Sequence, residues 1–430
     1  MSLLFTHIHQ LVNVRKGIEP LRGKEMAELP VLEDAYLLVE DGLIAGYGKM
    51  AEMPASLQNH PQVVDATGRL VMPAWCDSHT HLVFPGSREQ EFVDKIKGLS
   101  YAEIAARGGG ILNSARQMEL ISEDQLFMES WKRLNEVASL GTGAIEIKSG
   151  YGLTVANELK ILRIIQKLKE KSGLLIRSTF LGAHAFPAHY KEDRDGYIRE
   201  IIEEMIPLVA GEKLADYIDV FCETGFFTPE ETERIALAGI AAGLKPRLHV
   251  NQLNSIGGIE AGIRVGALSL DHLETVTDID VALLAGQPEA RSGKSFTGIS
   301  TLLPTAAFFL RMPFQPARKI IDAGAAVAIA SDFNPGSSPS GNMNLVLAMS
   351  CIGMRMLPEE AINASTTNAA VAMEVQSEAG SIAPGKKANL ILTKPVSHYH
   401  ELPYFFGTNL VDEVFLNGQL HQAELLRANS

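Results

Sequence analysis

The stretch RLVMPAWCDSHTHLVF (69–84) decides the architecture, because an apolar run passes into two histidines separated by a single residue. An apolar run that ends in polar residues reads as a strand buried on both faces. The pattern returns in GTGAIEIKSGYG (141–152), LLIRSTFLGAHA (174–185), YIDVFCE (217–223), KPRLHV (245–250), ALSLDHLE (267–274) and AAVAIASDFNPG (325–336). Amphipathic helices are expected between these strands. ANELKILRIIQKLKEKSG (156–173) sets Leu159, Leu162, Ile165 and Leu168 on one stripe and stops at Gly173. FFTPEETERIALAGIAAG (226–243) opens with Thr228 as N-cap, Pro229 at the first helical position and Glu231 closing a capping box. Repeated strand and helix units fit either a (β/α)8 barrel or a doubly wound sheet. No Gly-x-Gly-x-x-Gly follows the first strand, which lowers the nucleotide-binding version.

The two chain ends differ in style from this middle. YLLVEDGLIAGYG (36–48) places short β-type runs around Asp41-Gly42, and LILTK (390–394) precedes VDEVFLNGQL (411–420), which turns at Asn417-Gly418. Neither end is long enough for its own core, so both are expected to complete one small, discontinuous β-domain. The expected division is 1–66 with 385–430 for that domain and 67–384 for the α/β domain.

Composition narrows the function. The 430 residues carry 38 Lys and Arg against 51 Asp and Glu, a net charge of −13, which argues against nucleic acid or an anionic membrane surface as partner. An anionic ligand must then be met by local cations. The three cysteines, Cys76, Cys222 and Cys351, are too few for a disulfide framework and suit reduced thiols in the cytoplasm. The opening MSLLFTHIHQLVNVRKG lacks the form of a signal peptide, and no long uninterrupted apolar stretch predicts a membrane span.

Placement sorts the 12 histidines. Histidines two apart on a strand share a face and can grip one ion, but the pattern occurs three times, at His7/His9, His79/His81 and His398/His400. The first pair has no other candidate ligand nearby in sequence and the third lies in a turn-like region before Glu401-Leu402-Pro403, so both read as structural or surface residues. His79 and His81 end the strand that opens the α/β region, and His184, His249, His272 and Asp332 end later ones. In a (β/α)8 barrel all strand C-termini face one mouth, so these six side chains would converge. Imidazoles with one carboxylate suit zinc or iron. Cys76 falls on the opposite face from His79 and His81 if the strand is regular, and reads as packing.

At these residues the sequence resembles the amidohydrolase superfamily and, within it, the imidazolonepropionase family, which hydrolyses 4-imidazolone-5-propanoate to N-formimidoyl-L-glutamate in histidine degradation. The resemblance is carried by DSHTHLVFPGSREQEF (77–92), SYAEIAARGGGI (100–111), EIKSGYGL (146–153), TFLGAHAFP (179–187), HVNQLNSIGG (249–258), SLDHLE (269–274), SDFNPGSSP (331–339) and ELPYFFGTNL (401–410). It implies a (β/α)8 TIM-like barrel with a small discontinuous β-sandwich domain formed by both chain ends, and a homodimer. It also implies one Zn2+ or Fe3+ per subunit on His79, His81, His249 and Asp332. Arg88, Tyr151, His184, Gln252, Asn334, Gly336 and Ser337 match substrate-contacting positions, and His272, Asp332 and His184 match catalytic ones. Lys148 is the nearest lysine to a metal-bridging position but matches this family's own motif, so a mononuclear site is expected.

Gln252 stands where some relatives carry Glu. An amide cannot donate a catalytic proton, so acid/base work is expected of Asp332, His272 or the metal water. Asn251 stands where relatives often carry an acid, and Ser337 replaces a common Thr. His184 or His272 is the natural donor to a developing oxyanion, and Arg88 the partner for a propionate through its bidentate fork. Gly108-Gly109-Gly110 reads as a loop or lid hinge, because no Lys-Ser/Thr follows for a phosphate cradle.

Overall fold

A computed structural model describes residues 2–99, 103 and 109–422. Most of SYAEIAARGGGI, including Gly108 of the glycine run, lies outside the described residues. The chain begins with β1 (Ser2–Val12), β2 (Val31–Glu40), β3 (Leu43–Lys49), β4 (Val63–Asp65) and β5 (Leu70–Pro73). Eight strands follow, each separated from the next by at least one helix or loop: β6 (Trp75–Thr80), β7 (Thr142–Lys148), β8 (Leu175–Ala183), β9 (Tyr217–Cys222), β10 (Lys245–Val250), β11 (Ser269–His272), β12 (Ile299–Leu302) and β13 (Val327–Ile329). The chain returns through β14 (Leu390–Thr393), β15 (Val411–Leu416) and β16 (Gln419–Leu420).

Strands β6 to β13 pair in sequence order, all parallel, and every residue of β7, β9 and β11 is buried. Burial on both faces is why these segments read as unbroken apolar runs. The seam closes where Thr80 bridges Phe333: His81 N–H donates to the Phe333 carbonyl at 2.9 Å, and Asp332 N–H to that of His79 at 3.0 Å. Asp77 pins the same seam, accepting from Ser331 N–H at 3.0 Å and from its hydroxyl at 2.5 Å. The result is the (β/α)8 barrel. Helix 155–171 is capped by Thr154, whose hydroxyl accepts from Asn157 N–H, and gives way at Ser172, one residue before the expected stop. Thr228, Pro229 and Glu231 start helix 229–241 through the expected capping box.

β6 is not regular. Cys76 pairs with Ala144 and Asp77 with Ile145, but Thr80 pairs with Ile147, so one extra residue bulges between them. A bulge reverses the alternation of faces. Cys76 therefore shares the inward face with His79 and His81 rather than opposing it. It sits deeper, fully buried among Ala144, Ala326, Ala328 and Ala369, where burial pushes its thiol up to about 12. It packs there, as read from sequence, but for a different geometric reason.

The remaining strands form a second sheet in the order β16-β15-β14-β5-β1-β2-β3, with β4 added beside β1. The hairpins turn at Asp41-Gly42 and Asn417-Gly418 as expected. Three strand steps separate β1 from β15, about 14 Å in a flat sheet. Yet the Phe5 and Phe415 rings meet edge-on with centroids 5.0 Å apart, so the sheet folds over a core of its own with Leu37, Val39 and Leu390. β5 belongs to this sheet although it lies past residue 66, since Leu390–Leu392 of β14 and Gln10–Leu11 of β1 flank it. Among the described residues no helix is long and apolar enough to cross a membrane.

Candidate active site

The barrel mouth gathers the strand-end residues. Donor atoms of His79, His81 and His249 lie within 4.8 Å of one another, as do those of His79, His272 and Asp332. Asp332 Oδ1 is 3.5 Å from His79 Nε2 and 3.6 Å from His81 Nε2. Buried acids set the tautomers. His79 Nδ1–H donates to Asp271 at 2.7 Å and His249 Nδ1–H to Asp219 at 2.8 Å, leaving both Nε2 lone pairs aimed at the centre. His249 Nε2 lies 3.3 Å from His81 Nε2, and His79 Nε2 is buried without a hydrogen-bond partner. Burial, reinforced by the neighbouring cations and imidazoles, holds the pKa of all three well below the usual histidine value, in the neutral form a metal requires. Lone pairs converging with a carboxylate and backed by oriented acids could hold a divalent metal.

Beneath this cluster lies a buried ionic layer. Lys148 Nζ is 2.9 Å from both Glu146 and Asp219 and 3.8 Å from Asp271. Arg247 donates to the Ala372 and Ser78 carbonyls at 2.7 Å and approaches Asp271 at 3.5 Å. The two acids that orient the imidazoles are thus themselves held by fixed cations.

Above the cluster is a cavity of about 250 Å3, lined by every expected site residue except His79, which is sealed below. His184 donates Nδ1–H to the Gly150 carbonyl at 2.9 Å, and its ring stacks on His81 at 15°. Burial pulls its pKa down to about 4. A neutral His184 with that proton committed offers the cavity only a lone pair. His272 differs: burial disfavours its cation, but Glu274, 3.2 Å from Nδ1, together with Asp332 and Asp271 offsets this and raises its pKa. Burial pushes Asp332 up to about 6.

The β13 loop is shaped by Asn334, whose side-chain oxygen accepts from Gly336 and Ser337 N–H at 2.7 and 2.8 Å. Its amide donates to the Asp332 carbonyl at 2.7 Å, and Ser337 Oγ donates to Asp332 Oδ2 at 3.1 Å. Gly336 allows a close approach: a Cβ there would lie 1.4 Å from the Arg88 guanidinium. Tyr151 sits 5.4 Å from the His184 ring, and Gln252 lines the cavity. Asn251 donates to the Thr275 carbonyl at 2.9 Å instead of facing the cavity. His9 and His400 bond to Ser397 and Glu359 at the surface, far in sequence from this site.

Sequence reasoning missed Asp219, Asp271, Glu146, Glu274 and Lys95. One signal was available: in EIK, Glu146 and Lys148 place opposite charges on one face of an otherwise apolar strand, which only an internal ion pair tolerates.

Comparison with known proteins agrees with this geometry. The amidohydrolase family model matches residues 70–421. The imidazolonepropionase of Flavobacterium johnsoniae is 54% identical over 98% of this chain and all of its own length. That of Geobacillus sp. is 42% identical over 97% of each. Solved structures of a triazine hydrolase variant (TM-score 0.73, 14% identity, 97% of this chain and 94% of that one) and of Escherichia coli guanine deaminase (TM-score 0.70, 14%, 98% and 99%) share the fold. The chain belongs to the amidohydrolase family and, within it, to the imidazolonepropionases.

Proposed function

We propose that the chain hydrolyses 4-imidazolone-5-propanoate to N-formimidoyl-L-glutamate, with one Zn2+ or Fe3+ per subunit on His79, His81, His249 and Asp332. The observation that carries this reading is a single cavity that joins Arg88 to the imidazole and carboxylate cluster. A metal ion held there would activate a water as the nucleophile, its pKa lowered to about 7. Lys148 is tied into three acids, which supports a single ion rather than a lysine-bridged pair.

The side chains divide the remaining work. Asp332, with its raised pKa, takes the proton of the attacking water. Negative charge developing on the ring carbonyl oxygen is met by His272, which Glu274 orients and whose pKa the surrounding acids raise. The carbonyl–nitrogen bond breaks as the departing ring nitrogen takes up a proton held by Asp332 or His272. His184 accepts from a ring N–H, and Arg88 pairs with the propionate; Tyr151, Gln252, Asn334, Gly336 and Ser337 shape the rest. Gln252 moves no proton.

The domain division 1–66 with 385–430 and 67–384 remains part of this reading, with β5 joined to the composite domain. So does the homodimer, for which the exposed Tyr404 (74%) and Phe406 (65%) offer apolar surface. Three free cysteines suit a cytoplasmic enzyme. Metal-loaded protein incubated with 4-imidazolone-5-propanoate should yield formimidoylglutamate, and none formed would overturn the reading.

Two variants probe its parts. Asp219→Asn should lower metal affinity by about 10- to 100-fold, read by chelator competition, because His249 loses the carboxylate that orients it. Gly336→Ala forces the Arg88 guanidinium from its seat. KM should rise by about 10-fold or more, the loss of a charge-assisted hydrogen bond, with a smaller change in kcat.

A further inference from the structure

We propose that Lys95 is a second cation of the carboxylate subsite and helps to restrict the enzyme to substrates bearing an anionic side chain. The inference rests on the ring-opening reading above and extends it to a residue outside every motif role assigned so far.

Arg88 is the N-cap of helix 89–96, and Lys95 lies seven residues on, two turns along the same face. Both line the cavity that holds His184 and Asp332. Both also converge on Gly336: the Arg88 guanidinium packs against its α-carbon, and Lys95 Nζ donates to its carbonyl at 2.7 Å. An ammonium has three donors; among the described residues Lys95 spends one on Gly336, with Nζ over the Phe309 ring at 5.2 Å.

The acids nearby do not balance these charges. Among the described residues, the ion pair made by either cation is with Glu91, its Oε2 3.3 Å from Arg88 Nε. Its other oxygen is occupied by Gly110 N–H and Asn113 Nδ2, each at 3.1 Å. Among the described residues lining the cavity the sole carboxylate is Asp332, at the metal cluster. Among the described residues at this end of the cavity, two cations and one acid leave an excess of one positive charge, equal and opposite to one carboxylate. Burial, and then the Arg88 charge, lowers the Lys95 pKa to about 8, as expected for cations crowded together before an anion arrives. In a chain of net charge −13 this pairing is what draws in an anion.

The alternative is that Lys95 merely staples its helix to Gly336. Kinetics on two compounds separate these roles: 4-imidazolone-5-propanoate and its uncharged propionamide analogue. Lys95→Met, which keeps the apolar stem, should raise KM for the propanoate by about 10-fold or more with kcat changed far less. KM for the propionamide should not move, and Lys95→Arg should restore most of the loss. Lys95→Gln provides a second charge-removing variant, and equal thermal midpoints check folding. Equal KM changes for both compounds, a fall in kcat alone, or no change at all would overturn the assignment. Wild-type enzyme that opens neither compound would instead overturn the ring-opening reading on which it rests.

Discussion

His272→Asn is expected to lower kcat by about 10^2- to 10^4-fold, the range for loss of a positioned acid or base, while bound metal stays at the wild-type level. Asparagine keeps a donor near Glu274, 3.2 Å from the native Nδ1, so the buried carboxylate is not abandoned. It cannot carry a proton. Metal content measured beside kcat decides the role: if both fall together, His272 acts as a ligand and not as a proton carrier. That outcome is a live alternative, because the donor atoms of His272, His79 and Asp332 lie within 4.8 Å of one another.

Lys148→Met should cost about 3–5 kcal/mol of stability, as when one partner of a buried ion pair is removed. Lys148 is fully buried, and so are Glu146, Asp219 and Asp271 around it. Without the ammonium these acids face one another in a low-dielectric layer. Denaturant unfolding of metal-free protein measures the loss without the metal's own contribution. Adding Glu146→Gln should recover part of it, since one of the stranded charges disappears. If the single variant unfolds at the wild-type midpoint, the layer is not held by Lys148.

The barrel was readable because its strands are buried on both faces and its catalytic-type residues end them. β12 escaped notice for a local reason. Ile299–Leu302 is four residues long and runs straight through Leu303 into the apolar helix 304–310, so no polar boundary marks it. His79, His81, His184, His249, His272 and Asp332 were legible as a group from their shared position at strand ends. Their supporting acids were not. Asp219 in YIDVFC and Asp271 in SLDH look like the polar positions of half-exposed strands, and only tertiary pairing reveals that they face inward at imidazoles. Cys76 depended on an alternation that a one-residue bulge reversed. Lys95 was hidden by company, one lysine in a charged helix that reads as solvated.

The seam between β6 and β13 also bears on how the protein comes into being. His79 and His81 are translated about 250 residues before Asp332 and Phe333, yet in the finished barrel the His79 carbonyl accepts from Asp332 N–H and His81 N–H donates to the Phe333 carbonyl. On the ligand set proposed above, a growing chain displays two or three imidazoles long before it owns the carboxylate that would complete the cage. Firm metal capture by that set would then wait on the last barrel strand docking against the first. Loading would become a report that the circle has closed, and an incomplete chain would have little means of retaining the ion.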